Sequence, residues 1–299
     1  MAILIDPPAW PAHGTEFSHL VSDHSLEELH GFADRAGLPE RAFDRDHYDV
    51  PRRRYADLVA QGAVPVAATE LVRRLLGSGL RVPARQRPEK LNGILLSSWD
   101  RLVPGCPAVG RELVERWSED HRHYHDRTHL LAVVRALDLL SGEGEPAGRH
   151  PRAPWLAAWF HDAVYAGRPG EDEEQSAQLA ERLLGDAALD SEEVRETARL
   201  VRLTAGHRPD PDDAPGLLLC DADLEVLARP PADYGRYVAA VRLDYAHVPA
   251  AAFAAGRAGV LRSLLALDPL YGTATARRLW AAAARTNLGR ELAALEASR

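Results

Sequence analysis

Lysine is nearly missing from this chain: Lys90 is the only one in 299 residues, so almost every cationic task falls to arginine. Arginine meets phosphate through a planar fork of donors, where lysine offers a point charge. Basic residues are also outnumbered, 36 against 44 acids, for a net charge of −8 with histidine neutral. No global basic field draws the chain to nucleic acid or anionic lipid, so neither a large nucleic-acid partner nor a membrane surface is expected. Cysteine is scarce too. Cys106 and Cys220 have no metal-like spacing and exclude a disulfide framework. No run approaches the ~18 apolar residues of a membrane span, and no basic stretch precedes an apolar one at the start. A reducing cytoplasm is the expected setting. What remains is 46% hydrophobic and 27% charged residues, ordinary for a globular protein of one or two domains.

A stretch from about Gly77 to Asn92, GSGLRVPARQRPEKLN, separates two regions by its glycine, proline and charge. Before it, Ala2 to Ile5 is a short apolar run stopped by Asp6-Pro7-Pro8, a buried strand. Ser25 followed by Glu28 is a capping-box pattern that opens a helix ending near Gly37. Arg52 to Gln61 predicts helix, Ala63 to Val66 an extended segment and Thr69 to Leu76 helix again. After it, apolar residues recur at helical spacing over 109–120, 126–140, 154–166, 172–185, 191–205, 219–228, 232–247, 250–267 and 273–296. The expected fold class is therefore an α+β two-domain chain: a small α/β domain over 1–85, then an all-α domain over 92–299.

Three stretches of the second region carry chemistry. The segment Pro154 to Tyr165, PWLAAWFHDAVY, is apolar nearly all round, which predicts a buried helix with His161 and Asp162 in its middle. A buried carboxylate costs several kcal/mol unless a cation or several donors compensate it. A metal ion would compensate both side chains; a hydrogen-bonded His–Asp pair between helices is the plain alternative. In HRHYHDRTH, His125 and His129 are four apart and share a helical face. His129 opens the apolar run LLAVVRALDLL and belongs nearer the core, while His121 and His123 read as a surface turn. In LLLCDADL, Asp221 and Asp223 follow an apolar run, at or near a helix start, where capping is the ordinary role for an acid.

The order H … HD … D on separate helices resembles the HD-domain metal-dependent phosphohydrolases. Tyr124 to His129 is similar to the YHNxxH segment of cyclic-nucleotide phosphodiesterases in that superfamily, with Asp126 in place of the asparagine. Ala222-Asp223-Leu224 resembles the segment that supplies the last ligand. WFHDAVY, Glu173 to Ala177, Thr204 to His207 and stretches over 237–249, 253–261 and 284–288 echo the predicted HD hydrolase group. The likeness spans nearly all of 92–299. It implies one divalent ion (Mn, Mg, Co, Ni, Fe or Zn) held by His129, His161, Asp162 and Asp223, with His125 as proton donor. The first 80 residues resemble a small domain family without a known function, through IDPPAWP, FSHLVSD, DHYDVP and TELVRRL. Asp6, His19, His47, Tyr48 and Asp49 stand out there and read first as turn and structural polar groups.

Two imidazoles and two carboxylates around one ion leave positions for water and substrate. The sequence thus points to hydrolysis of a small phosphorylated, nucleotide-like compound, monoester or diester. His125 serves as general acid, Glu174 beside Glu173 orients the water, and His207, Arg242 and Arg257 bind phosphate; Arg127 and Arg285 are further forks. A homo-oligomer is left open. A nucleotide-sensing module without catalysis is the first alternative. An HD-type iron oxygenase is the second, and it needs two further histidines between the HD pair and the last aspartate, where only His207 occurs.

Overall fold

The computed structural model describes residues 2–12, 14–78, 80–81, 88–168 and 170–297. The chain divides into two compact units, Met1–Arg87 and Pro88–Arg299. Much of the expected linker, residues 79 and 82–87, lies outside the described residues.

The first unit is a small α/β structure. Strands β1 (Ile3–Ile5), β2 (Trp10–Ala12), β3 (Thr15–Ser22), β4 (Tyr48–Pro51) and β5 (Val64–Pro65) form one sheet. β1 runs antiparallel to β3 and parallel to β5, while β3 also pairs antiparallel with β2 and β4. Alternate residues of a strand face opposite sides. Ile3 and Ile5 accordingly pack with Leu20, Tyr48 and Val50 against helices α1 (Leu26–Arg35) and α2 (Arg52–Ala60). Leu4 and Val21 meet Leu71 and Leu75 of α3 (Ala68–Ser78) on the other side. A sheet covered on both faces needs an unbroken apolar strand, which is why β1 shows no alternation. Ser25 caps α1 by accepting from the Glu28 N–H, and Gly37, at φ +67°, follows its end in the left-handed region that glycine tolerates. The Glu28 carboxylate takes the Ser22 hydroxyl instead of closing a reciprocal box.

The second unit is helical: α4 (Pro88–Leu102), α5 (Pro107–Arg116), α6 (Arg127–Gly142), α7 (Ala153–Phe160), α8 (Glu171–Asp186), α9 (Ser191–Leu203), α10 (Ala214–Asp223), α11 (Pro231–Asp244), α12 (Ala250–Leu265) and α13 (Ala274–Ala297), with a 3-10 turn over Leu224–Ala228. Every residue of α7 but Trp155 is buried, and the helix packs against α6, α8, α9 and α10. Trp99, Trp117, Trp159 and Phe160 fill the core beside it. Each large apolar side chain so enclosed contributes about 1.5–3 kcal/mol relative to exposure.

α4 is not among the expected helices and begins inside the expected linker, and two further differences from the periodicity bear on the site. α7 stops at Phe160, so His161 and Asp162 sit at its C-terminal end and not in mid-helix. There the Ala163 N–H turns back to the Phe160 carbonyl, and Arg122 donates to the freed carbonyls of Asp162 and Ala163 at 2.6 and 3.2 Å. α10 begins at Ala214, where Asp213 accepts from the Gly216 N–H and Pro215 stands in the first turn. Asp221 and Asp223 therefore lie at its end, where the helix dipole disfavours acids, and capping does not account for them. Among the described residues, no helix is long and apolar enough to cross a membrane.

Candidate metal centre

Four side chains converge from three places in the helical unit. His129 comes from the first turn of α6, His161 and Asp162 from the end of α7, and Asp223 from the end of α10. Asp126 is the N-cap of α6: one carboxylate oxygen accepts from the Thr128 and His129 N–H groups at 2.7 and 3.2 Å. That cap sets the first turn and so aims His129 inward. His161 is aimed by its own helix, its Nδ1 lying 2.9 Å from the Ala158 carbonyl. A ring nitrogen next to a carbonyl keeps its proton, which leaves Nε2 as the atom that can serve as a ligand. The Trp117 ring packs against both imidazoles at 5.3 and 6.1 Å between centroids.

The ligand atoms face one another. The two Nε2 atoms are 3.2 Å apart; His129 Nε2 lies 3.0 Å from Asp223 Oδ1 and 3.9 Å from Asp162 Oδ2. His161 Nε2 lies 3.2 Å from Asp162 Oδ2 and 3.5 Å from Asp223 Oδ1. Bonds of about 2.0–2.2 Å to one cation, at angles between octahedral and tetrahedral, put neighbouring ligand atoms roughly 2.8–3.6 Å apart. Four of these five separations fall in that range; His129, His161 and Asp223 form the group that could hold a divalent ion, and Asp162 flanks it beside His161.

Charge argues the same way. Burial works against ionised Asp162 and Asp223, yet both carboxyls are held below the ordinary range, chiefly by the charge of His161. Burial likewise opposes an imidazolium at His161, but the two carboxylates outweigh it and push that ring well above its usual pKa. His129, where burial dominates, is pushed down. Two nearly enclosed carboxylates thus demand one compensating cation, whether a proton on His161 or a metal ion, and isolated burial of either would cost several kcal/mol.

Around the cluster lies a cleft of about 260 Å³ lined by Tyr124, His125, Tyr165, Arg168, His207 and Arg257, among others. His125 stacks on Tyr165 at 4.4 Å, and its Nδ1 is 2.9 Å from Asp244 Oδ2. The Asp244 side chain is fully enclosed and also accepts from the His123 and Tyr124 N–H groups. Burial raises the cost of its charge, but His125 and these donors hold its pKa down, so it remains a carboxylate. His207 Nε2 touches Asp223 Oδ2 at 2.6 Å.

The other expected site residues lie elsewhere or are engaged. Glu174 is taken by Arg202, at 2.6 and 2.9 Å, and does not line the cleft; Glu173 accepts from the Gly170 N–H at the start of α8. Arg242 donates to the Tyr245 and Val248 carbonyls and stacks on Phe253, which holds it at the end of α11. Arg257 reaches the cleft, but Glu291 grips its fork at 2.8 and 3.1 Å and Tyr237 takes a third donor. Arg127 donates to Asn92, and Arg285 to the Leu265 and Leu267 carbonyls. Asp221 accepts from the Gly272 and Thr273 N–H groups at 2.8 and 2.6 Å. Of the two acids, Asp223 faces the histidines and Asp221 secures the loop before α13. Tyr165 and Asp244 fall in the stretches WFHDAVY and 237–249, but the sequence marked neither of them, nor Arg122, as a site residue.

Residues 3–78 match the family described as "Protein of unknown function (DUF4031)". That match covers the small α/β unit and stops before the helices that form the cleft. No curated protein and no solved structure matches the chain.

Proposed function

We propose that the helical unit is a divalent-metal-dependent phosphohydrolase acting on a small phosphorylated, nucleotide-like compound, as its resemblance to the HD-domain enzymes implies. One observation carries the reading: His129, His161 and Asp223 each bring a ligand atom within 4.8 Å of the others, and Asp162 Oδ2 lies beside them, 3.2 Å from His161 Nε2. These four residues would hold the ion. When bound, such an ion acidifies a water and polarises a phosphoryl oxygen.

The chain's own groups supply the rest. Asp244 orients His125 through Nδ1, leaving Nε2 to exchange a proton with a leaving group in the cleft. Tyr165 fixes the plane of that ring by stacking. His207, held against Asp223, and Arg168 place positive or hydrogen-bonding groups along the wall where a phosphate would lie. Trp117 and Tyr124 close the apolar side and keep bulk water from the imidazoles.

The test is metal analysis of the purified full-length chain, followed by hydrolysis of aryl phosphates and a nucleotide panel with Mn restored. His161→Ala and Asp162→Ala should lose the metal equivalent held by this centre, and turnover with it. Turnover that survives in these variants would defeat the reading.

A further inference from the structure

We propose that the N-terminal unit carries its own divalent-metal site, formed by His19, His47 and Asp49, with Asp6 and Asp46 as the carboxylates behind the two imidazoles. It stands independently of the function proposed for the helical unit.

The sheet builds the site. His19 of β3 and Asp49 of β4 are direct cross-strand partners, so their side chains leave the same face of the sheet. His47 lies just before β4, and its contacts with His19 and Asp49 place it on that face. The rings of His19 and His47 meet edge to face with centroids 4.9 Å apart, and His47 Nε2 lies 3.5 Å from Asp49 Oδ1. One ligand atom from each of the three residues falls within 4.8 Å of the others.

What separates this group from an ordinary polar turn is the arrangement behind it. The Asp6 carboxylate, 1% exposed, accepts from the His19 N–H at 2.5 Å and lies 3.0 Å from His19 Nδ1. Asp46, 2% exposed, lies 2.6 Å from His47 Nδ1 and also accepts from Arg81. Both imidazoles are thus pinned at Nδ1 by an enclosed carboxylate, which leaves each Nε2 as the ligand atom. This is the carboxylate–histidine–metal pattern that fixes ring orientation and raises ligand basicity. Burying two such carboxylates is costly, and orienting two imidazoles towards one point recovers that cost when a cation sits there.

Two nitrogens and one carboxylate suit a borderline transition ion such as Zn, Co, Ni or Fe(II) over Mg or Ca, which favour all-oxygen cages. His19 and Asp49, with side chains 26% and 48% exposed, leave one side open for water or an anionic ligand.

The experiment uses the full-length chain with His129→Ala and His161→Ala, which empties the centre of the helical unit. Co(II) titration, followed by visible absorption and metal analysis, should show one bound equivalent. Adding His19→Gln and His47→Gln should abolish it, with the circular dichroism spectrum unchanged. Asp6→Asn should keep the stoichiometry and weaken affinity about 10- to 100-fold, the usual effect of removing a carboxylate behind a ligating histidine. No bound equivalent in the starting variant overturns the proposal. So does an equivalent that persists without both histidines, or an Asp6→Asn affinity equal to that of its parent.

Discussion

Asp244→Asn probes the proton-transfer half of the helical site without touching a metal ligand. The Asp244 carboxylate lies 2.9 Å from His125 Nδ1 and 2.6 Å from the His123 nitrogen that donates to it. An amide keeps the shape, but it weakens the hold on the Nδ1 proton and offers a competing donor to the ring. A hydrogen bond to a charged partner is worth about 1.5–3 kcal/mol, against about 1.0–1.5 for a neutral one at best. If the full charged bond is lost, turnover falls roughly 10- to 150-fold, since each 1.36 kcal/mol is a factor of ten. The assay compares two leaving groups. A nitrophenolate departs without a proton; an alkoxide does not. Asp244→Asn and His125→Ala should therefore slow alkyl phosphate esters far more than nitrophenyl esters, while bound metal is unchanged. Equal losses on both substrates, or losses that follow metal content, would refute a role for Asp244 through His125.

Asp221→Ala should lower unfolding free energy in urea by about 1–3 kcal/mol for each of the Gly272 and Thr273 donors it leaves unpaired, with metal stoichiometry retained. Glu174→Gln should leave turnover at neutral pH unchanged, because Glu174 belongs to Arg202 and not to the cleft. Arg202 and Gln178 pull the Glu174 carboxyl down to about 2 from 4.5, so its ion pair stabilises the fold above the ordinary value and is lost as pH falls towards the lower one. Glu174→Gln should therefore remove a small acid-limb contribution to stability between those pH values, and salt should mask the difference because the pair is exposed.

The sequence made some of this architecture readable and hid the rest for physical reasons. PWLAAWF announces a buried helix because apolar residues occupy every side of it, and polar His161 and Asp162 stand out against that background. The fold decides which of Asp221 and Asp223 faces the histidines, but as a pair they are legible for the same reason. Asp244 is not: it sits 119 residues from His125, on a helix with few buried positions, and only the folded chain brings the two together. Glu174 shows the reverse. Acids in a first helical turn look alike in sequence whether they face a cleft or a neighbouring arginine, and here the neighbour holds it. In the small unit, β3 mixes Glu16, Ser18, His19 and Ser22 with apolar residues, so its pairing with three strands left no local pattern to read. The cross-strand meeting of His19 with Asp49 is a matter of register, which no single segment encodes.

Arg122 gives the scarcity of lysine a mechanical meaning. Its guanidinium, wholly enclosed beside Trp117, reaches the carbonyls of His125, Asp162 and Ala163 at once, while its Nε donates to Glu119. The loop bearing the proposed proton donor and the loop bearing a ligand are thus riveted through one side chain, and neither can drift alone. A compact ammonium has neither the width nor the flat fork to span them. Damage at this position would unfasten both loops together without removing any side chain that lines the cleft.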